Sequence, residues 1–148
     1  MQPMTRWQLV YQAIPAGGGG AGATLALQNQ PDLDGCLIVG FETFTAAQAV
    51  ADPDRIAGLI AAEAVNVMLT LNEGSEQRFK NMPYTSLVAS LNAGVYRECD
   101  PFQIAWNASQ WRFNAVVTVN TSLMIGFHYI RPEDVSPEER RVLWPGLA

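Results

Sequence analysis

Histidine is nearly absent from this chain: His128 is the only one among 148 residues. One imidazole cannot supply the several nitrogen ligands that a β-barrel metal enzyme draws to a single ion. A Ser/His/Asp hydrolase would need the same residue, and no G-x-S-x-G elbow is present to raise a nucleophile. Carboxylates do stand in pairs, Asp32 with Asp34 and Glu73 with Glu76, as glycosidic chemistry requires. All four fall at turns, where acids are ordinary solvated punctuation. Asp32-Leu33-Asp34-Gly35 also lacks the downstream acids of a full calcium loop. The inventory predicts no enzyme, no cofactor and no metal.

Charge is scarce as well. Charged residues make up 16% of the chain and hydrophobic ones 49%, against about 25% charged in an average soluble domain. Some apolar surface is therefore expected to meet a partner. The net charge of −5 comes with scattered cations, only Arg140 and Arg141 being adjacent. No basic stripe exists to neutralise phosphates, so nucleic acid is not expected as a direct ligand. The two cysteines, Cys36 and Cys99, have no CxxC spacing and make neither a zinc framework nor a disulfide scaffold. They pair only if their strands meet, and two reduced thiols are expected. No stretch of 18 or more apolar residues could span a bilayer. The start, Met1-Gln2-Pro3-Met4-Thr5-Arg6-Trp7, does not read as a secretory signal, so synthesis in the cytoplasm of a bacterial-type cell is expected, with export inside an assembled particle left open.

What the chain has in quantity is alternation. Phe102, Ile104 and Trp106 alternate with Gln103 and Ala105, and Leu123, Ile125, Phe127 and Tyr129 with Met124, Gly126 and His128, the period of β-strands. Asn120-Thr121-Ser122 separates Ala115–Val119 from the last strand, predicting antiparallel neighbours. Trp7, Leu9 and Tyr11 at odd positions of Thr5–Ile14 give a half-buried strand that Val10 and Ile14 spoil. Further strands are predicted at Ala23–Asn29 and at Cys36–Thr45, where Leu37, Val39 and Phe41 share a face and Gly40 marks a bulge. Val65–Leu71 and Glu76–Asn81 form a hairpin across Asn72-Glu73-Gly74-Ser75. Strands near Val95–Cys99, Phe102–Asn107, Trp111–Val119 and Leu123–Ile130 bring the total to eight or nine.

Between them, Pro15–Gly22 is too glycine-rich for regular structure and lacks the Lys-Ser/Thr of a phosphate loop. Asp52-Pro53-Asp54 starts a short helix to about Ala62, and Thr85–Asn92 fits one or two helical turns. After Arg131-Pro132, Ser136 caps a helix with Pro137 at its first position and Glu139 at the capping-box position. The fold class is therefore an all-β antiparallel β-sandwich of eight or nine strands, with short helices in loops and at the C-terminus; the jelly-roll-like order is what the resemblance given below implies. Residues 1–130 form the sandwich and 131–148 a C-terminal helical arm.

Five residues stand out as interface candidates. Trp106 and Trp111 bracket Asn107-Ala108-Ser109-Gln110, and two tryptophans among amides either grip a sugar or protein at a rim or fill the core. Leu143, Trp144 and Leu147 lie beyond the last strand and must dock on their own domain or on a neighbour. The strand count, the helices confined to loops and the strand ending at Arg131-Pro132 resemble the single jelly-roll virion proteins of bacteriophages, of capsid, penton or decoration type. The resemblance covers most of the chain in architecture. It implies a rigid two-sheet brick in a virion, whose loops and terminal arm contact further copies and other virion proteins. The matching parts would be the Pro15–Gly22 loop, the insert Pro53–Ala62 and the arm Arg131–Ala148. No basic N-terminal arm is present, so direct genome packaging is not expected. The alternative is a carbohydrate- or protein-binding β-sandwich module, host-attaching, that uses Trp106 and Trp111.

Overall fold

The computed structural model describes residues 5–14, 17–18, 20, 22–45, 61–73, 76–88, 97–118 and 121–144. Among them are eight strands: β1 (Arg6–Ile14), β2 (Thr24–Ala26), β3 (Leu37–Phe44), β4 (Val67–Glu73), β5 (Glu76–Pro83), β6 (Arg97–Phe102), β7 (Gln110–Phe113) and β8 (Thr121–Ile130). Two α-helices, α1 (Ala61–Ala64) and α2 (Pro137–Leu143), accompany them. The predicted Pro53–Ala62 helix lies almost wholly outside the described residues, and α1 begins where it was expected to end.

The first sheet has the order β1-β8-β3-β6 and the second β2-β7-β4-β5, with antiparallel pairing throughout. The pairing is nested. β1 lies beside β8, β2 beside β7, β3 beside β6 and β4 beside β5, as if one long hairpin had been rolled up. Contacts of β3 with β8 and of β4 with β7 close the roll. The two sheets form the sandwich that the alternation predicted, in the jelly-roll order that the resemblance implied.

Nesting overturns one local expectation. The segments before and after Asn120 are not paired neighbours, because β7 belongs to the second sheet and β8 to the first. The chain leaves β7 at Asn114, whose N–H goes to Asn66 O at 2.8 Å, and Val117 exchanges backbone hydrogen bonds with Gly17 and Gly18. β8 already has β1 and β3 on its two edges, so no edge remains for the preceding segment. A second expected strand, Phe102–Asn107, stops at Phe102. Residues 103–105 cross between sheets, and a 3-10 turn runs from Trp106 to Ala108. Ala105 N–H is spent on Asn72 O at 2.8 Å instead of on a ladder.

Side-chain parity differs from the expected one on two strands. On β1 the buried residues are Val10 and Ile14, whereas Trp7, Leu9 and Tyr11 form the outer face. On β3 the expected bulge is present, with the register shifting between Ile38 and Gly40. One extra residue reverses the phase of a period-two pattern. Leu37 and Val39 therefore pack on the outer face while Phe41 enters the core, so the three do not share a side.

The core between the sheets is built from Phe41, Leu69, Phe102, Trp111, Leu123 and Phe127, all essentially inaccessible. Each such side chain contributes about 1.5–3 kcal/mol through removal from water. Both edge strands on one flank carry a proline, Pro83 at the end of β5 and Pro101 within β6. Proline is tolerated at edges because it has no N–H to give a ladder, and it discourages strand addition there.

Tyr84 fastens one sheet to the other. It follows β5 of the second sheet, opens the 3-10 turn Tyr84–Leu87 and is fully buried. Its hydroxyl donates to the carbonyl of Phe44 in β3 and accepts the N–H of Met124 in β8 at 3.1 Å. Thr43 Oγ1 returns a bond to Tyr84 O at 2.8 Å. Burial pushes the phenol well above its ordinary pKa, so it stays a neutral donor. Tyr84→Phe keeps the ring and strands the partners, so it should cost about 1–3 kcal/mol of stability, read from the urea midpoint. An unchanged midpoint would contradict the bridging role.

Candidate functional site: the outer face of the first sheet and its C-terminal cover

The candidate interface tryptophans take the core-filling alternative and lie inside the domain. Trp111 is 1% exposed and tilts against Tyr84, with its Nε1 donating to Gln12 Oε1 at 3.1 Å. Trp106 is 8% exposed and meets Phe127 edge-on at 5.6 Å between centroids. Neither ring is offered to a partner as a face. The two were singled out because they are large and flank amides, and core filling leaves the same signature in sequence.

Trp144 is likewise buried, on its own domain. It packs with Leu37, Ile130 and Val135 on the outer face of the first sheet, and Leu143 is half-buried beside them. Trp144 Nε1 donates to Gly35 O at 2.7 Å, which fixes the turn before β3. Leu147 lies outside the described residues. The arm is fastened at more than one point. Arg6 grips Asp134 with a two-pronged contact at 2.6 and 3.0 Å, and the same guanidinium holds the Asp134 carboxyl below its usual range. Ser136 Oγ accepts Glu139 N–H at 3.2 Å, the expected cap of α2.

Further along the same face, sequence reasoning missed a constellation. Trp7 stands about half exposed, and its Nε1 donates to Glu42 Oε1 at 3.0 Å. The Nε1–Cε2–Cζ2 side of the indole lies against Gly126, where an added β-carbon would come within 2.6 Å of Nε1. His128 Nε2 is 3.4 Å from the same Glu42 oxygen. Three strands thus contribute: β1 gives Trp7, β3 gives Glu42 and β8 gives Gly126 and His128. The signal was in the sequence as Glu42 two residues past a bulge and Gly126 in a strand of large residues, but only the register joins them.

The arrangement is a hydrogen-bonded patch whose single carboxylate is engaged by the Trp7 indole. Among the described residues, no group of three or more His, Cys, Asp or Glu side chains is placed to hold a metal. Cys36 and Cys99 are unbridged thiols, the first buried and the second half-buried. No helix in the described residues is long and apolar enough to cross a membrane. The described residues also border two shallow depressions. One, of about 560 Å³, lies between β5 and β6 around Arg78, Phe79, Glu98 and Cys99. The other, of about 470 Å³, sits at the end of the sandwich formed by the β2–β3 and β6–β7 connections and includes Trp106 and Asn107.

No protein-family description matches the chain, and no curated protein or solved structure matches it.

Two outcomes follow from this geometry. Trp144→Ala removes a buried ring and its hydrogen bond, so it should lower stability by about 3–5 kcal/mol, measured by chemical denaturation. A folded protein of undiminished stability would show that the arm is not part of its own core. The second concerns acid. Burial lowers the pKa of His128, with Glu42 opposing the shift. The unfolded chain, whose imidazole titrates near 6.5, then takes up the proton first as pH falls. Stability present above that value must decline through the interval down to the folded pKa. With one histidine in the chain, His128→Gln should flatten the decline between pH 7.5 and 5.5. Equal declines in both proteins would refute it.

Proposed function

We propose that the protein is a non-enzymatic virion structural protein, of capsid, penton or decoration type, that associates with itself or clips onto a viral shell. The observation that carries this reading is the nested jelly roll with part of its outer face covered by its own C-terminal arm. Such a brick is rigid, because each sheet is backed on the inner side by the other and the first sheet is also partly covered outside. Rigid bricks assemble through loops and residual apolar spots, without rearranging their cores.

Two features favour surface contacts of that kind. Trp7 and Val142 are large apolar side chains left in water, the latter on the solvent side of α2 at 79% exposure. At the opposite end, Val65 and Val116 are similarly uncovered. The prolines of the β5–β6 flank discourage edge-to-edge strand pairing, so faces and ends are the better docking regions. The acidic balance agrees with contacts to protein and not to a genome.

Light scattering coupled to size exclusion at micromolar concentration tests the proposal. A discrete ring or larger closed assembly is expected, and Val65→Asp together with Val116→Asp should shift it toward smaller species. A strict monomer that also fails to bind virion shells would overturn the reading.

A further inference from the structure

Two loops at one end of the sandwich border an open depression of about 470 Å³. Its lining is graded. Leu27 and Trp106 are buried and form the floor, Ile104 and Ala105 are half-buried, and Asn29, Asp34 and Asn107 are exposed at the rim. Among the described residues, no hydrogen bond within the chain occupies the side chains of those three rim residues. They are donors and acceptors without an internal task.

Both walls are held in place by bonds that come from elsewhere. On the β6–β7 side, Ser109 Oγ donates to Ala105 O at 2.9 Å and accepts Asn72 N–H at 3.0 Å. Asn72 Nδ2 donates to Ala108 O at 2.6 Å, and Ala105 N–H reaches Asn72 O. Leu27 N–H bonds Ser109 O at 3.0 Å, which ties the second wall to the first. On the β2–β3 side, Asp34 precedes Gly35, whose φ of +76° favours glycine. Gly35 O is the group held by Trp144. The ordering cost that a ligand would otherwise meet is already met by the fold.

We propose that this end depression binds a neutral saccharide, the terminal sugar of a glycan. Among the described residues the lining has no lysine or arginine, and Asp34 would repel an anion, which disfavours phosphates and carboxylates. Two primary amides and one carboxylate offer both donors and acceptors, the complement of vicinal hydroxyls. Half-buried Ile104, with the small exposed parts of Leu27 and Trp106, gives an apolar contact for the C–H groups of a pyranose. A cationic amine would be served by Asp34 but not by the floor, because Trp106 shows too little ring face for a cation–π contact. Sugar binding and assembly are read by separate measurements, so either reading can fail alone.

Saturation-transfer NMR on the full chain, with the methyl glycosides of glucose, galactose, mannose and N-acetylglucosamine as probes, tests the inference. Transfer to at least one glycoside is expected, weakened about tenfold or more in Asp34→Ala/Asn107→Ala. Both positions are exposed, and an unchanged thermal midpoint in the double variant confirms that the loss is local. The proposal is overturned by absence of transfer to all four glycosides. It is also overturned if transfer survives in the double variant, or if n-butylammonium binds in place of the sugars. Light scattering of the double variant should equal that of the unmodified chain. A changed assembly state would mean that the rim is a protein contact instead.

Discussion

Strand β8 is paired on both edges and covered on both faces, and this double burial constrains everything around it. Nine of its ten residues are buried. Leu123, Ile125 and Phe127 face the second sheet, which a sandwich supplies by construction. Met124, Gly126 and Ile130 point the other way, to a face that antiparallel sandwiches commonly leave wet. Here that face needs its own cover, and two pieces of chain provide it. Over Met124 and Gly126 come the side chains of β1, and over Ile130 comes Trp144. The Trp7–Glu42–His128 patch is the polar seam between them. Its carboxylate is largely buried and would be costly there without the indole N–H and the imidazole beside it.

The covered outer face explains where the sequence was readable and where it misled. Strand existence was legible in most of the sandwich, because period two survives whichever side is buried. Which side is buried was not. On β1 the odd residues Trp7, Leu9 and Tyr11 look like a core face, yet they cover the outside, and the residues that spoiled the pattern, Val10 and Ile14, are the inner ones. On β3 the glycine announced a bulge, but the consequence of a bulge is a change of phase, and that places Leu37 and Val39 opposite to Phe41. Both ambiguities arise when a sheet is apolar on two sides, since alternation then compares one packed face with another.

Topology lay beyond local reading for a different reason. A hairpin between the segments on either side of Asn120 is the cheapest loop closure. It loses because β8 gains two long partners, β1 along nine residue pairs and β3 across the bulge, in exchange for one short one. Tyr84 reinforces the same choice by bonding to β3 and β8 where they lie side by side. Nothing in the residues near Asn120 reports these distant gains. The aromatic residues show the same limit: tryptophan number and spacing could not distinguish rings that fill the sandwich from a ring that stands on its surface. That distinction comes from the register that sets Trp7 against Gly126.

The division of labour within the molecule follows from these commitments. The sheet interiors and most of the first outer face are consumed in holding the fold, so few groups there remain available to a partner. The ends of the roll are different. Their backbone is tied down by Asn72, Ser109 and Gly35, while the side chains of Asn29, Asp34 and Asn107 stay free of internal bonds among the described residues. Fixing main chain with buried polar groups while leaving rim side chains uncommitted is the arrangement that lowers the cost of binding without lowering the stability of the scaffold. The C-terminal arm serves both ends of that arrangement. By burying Trp144 it closes the outer face over Ile130, and by the hydrogen bond from the same indole it sets the turn that carries Asp34.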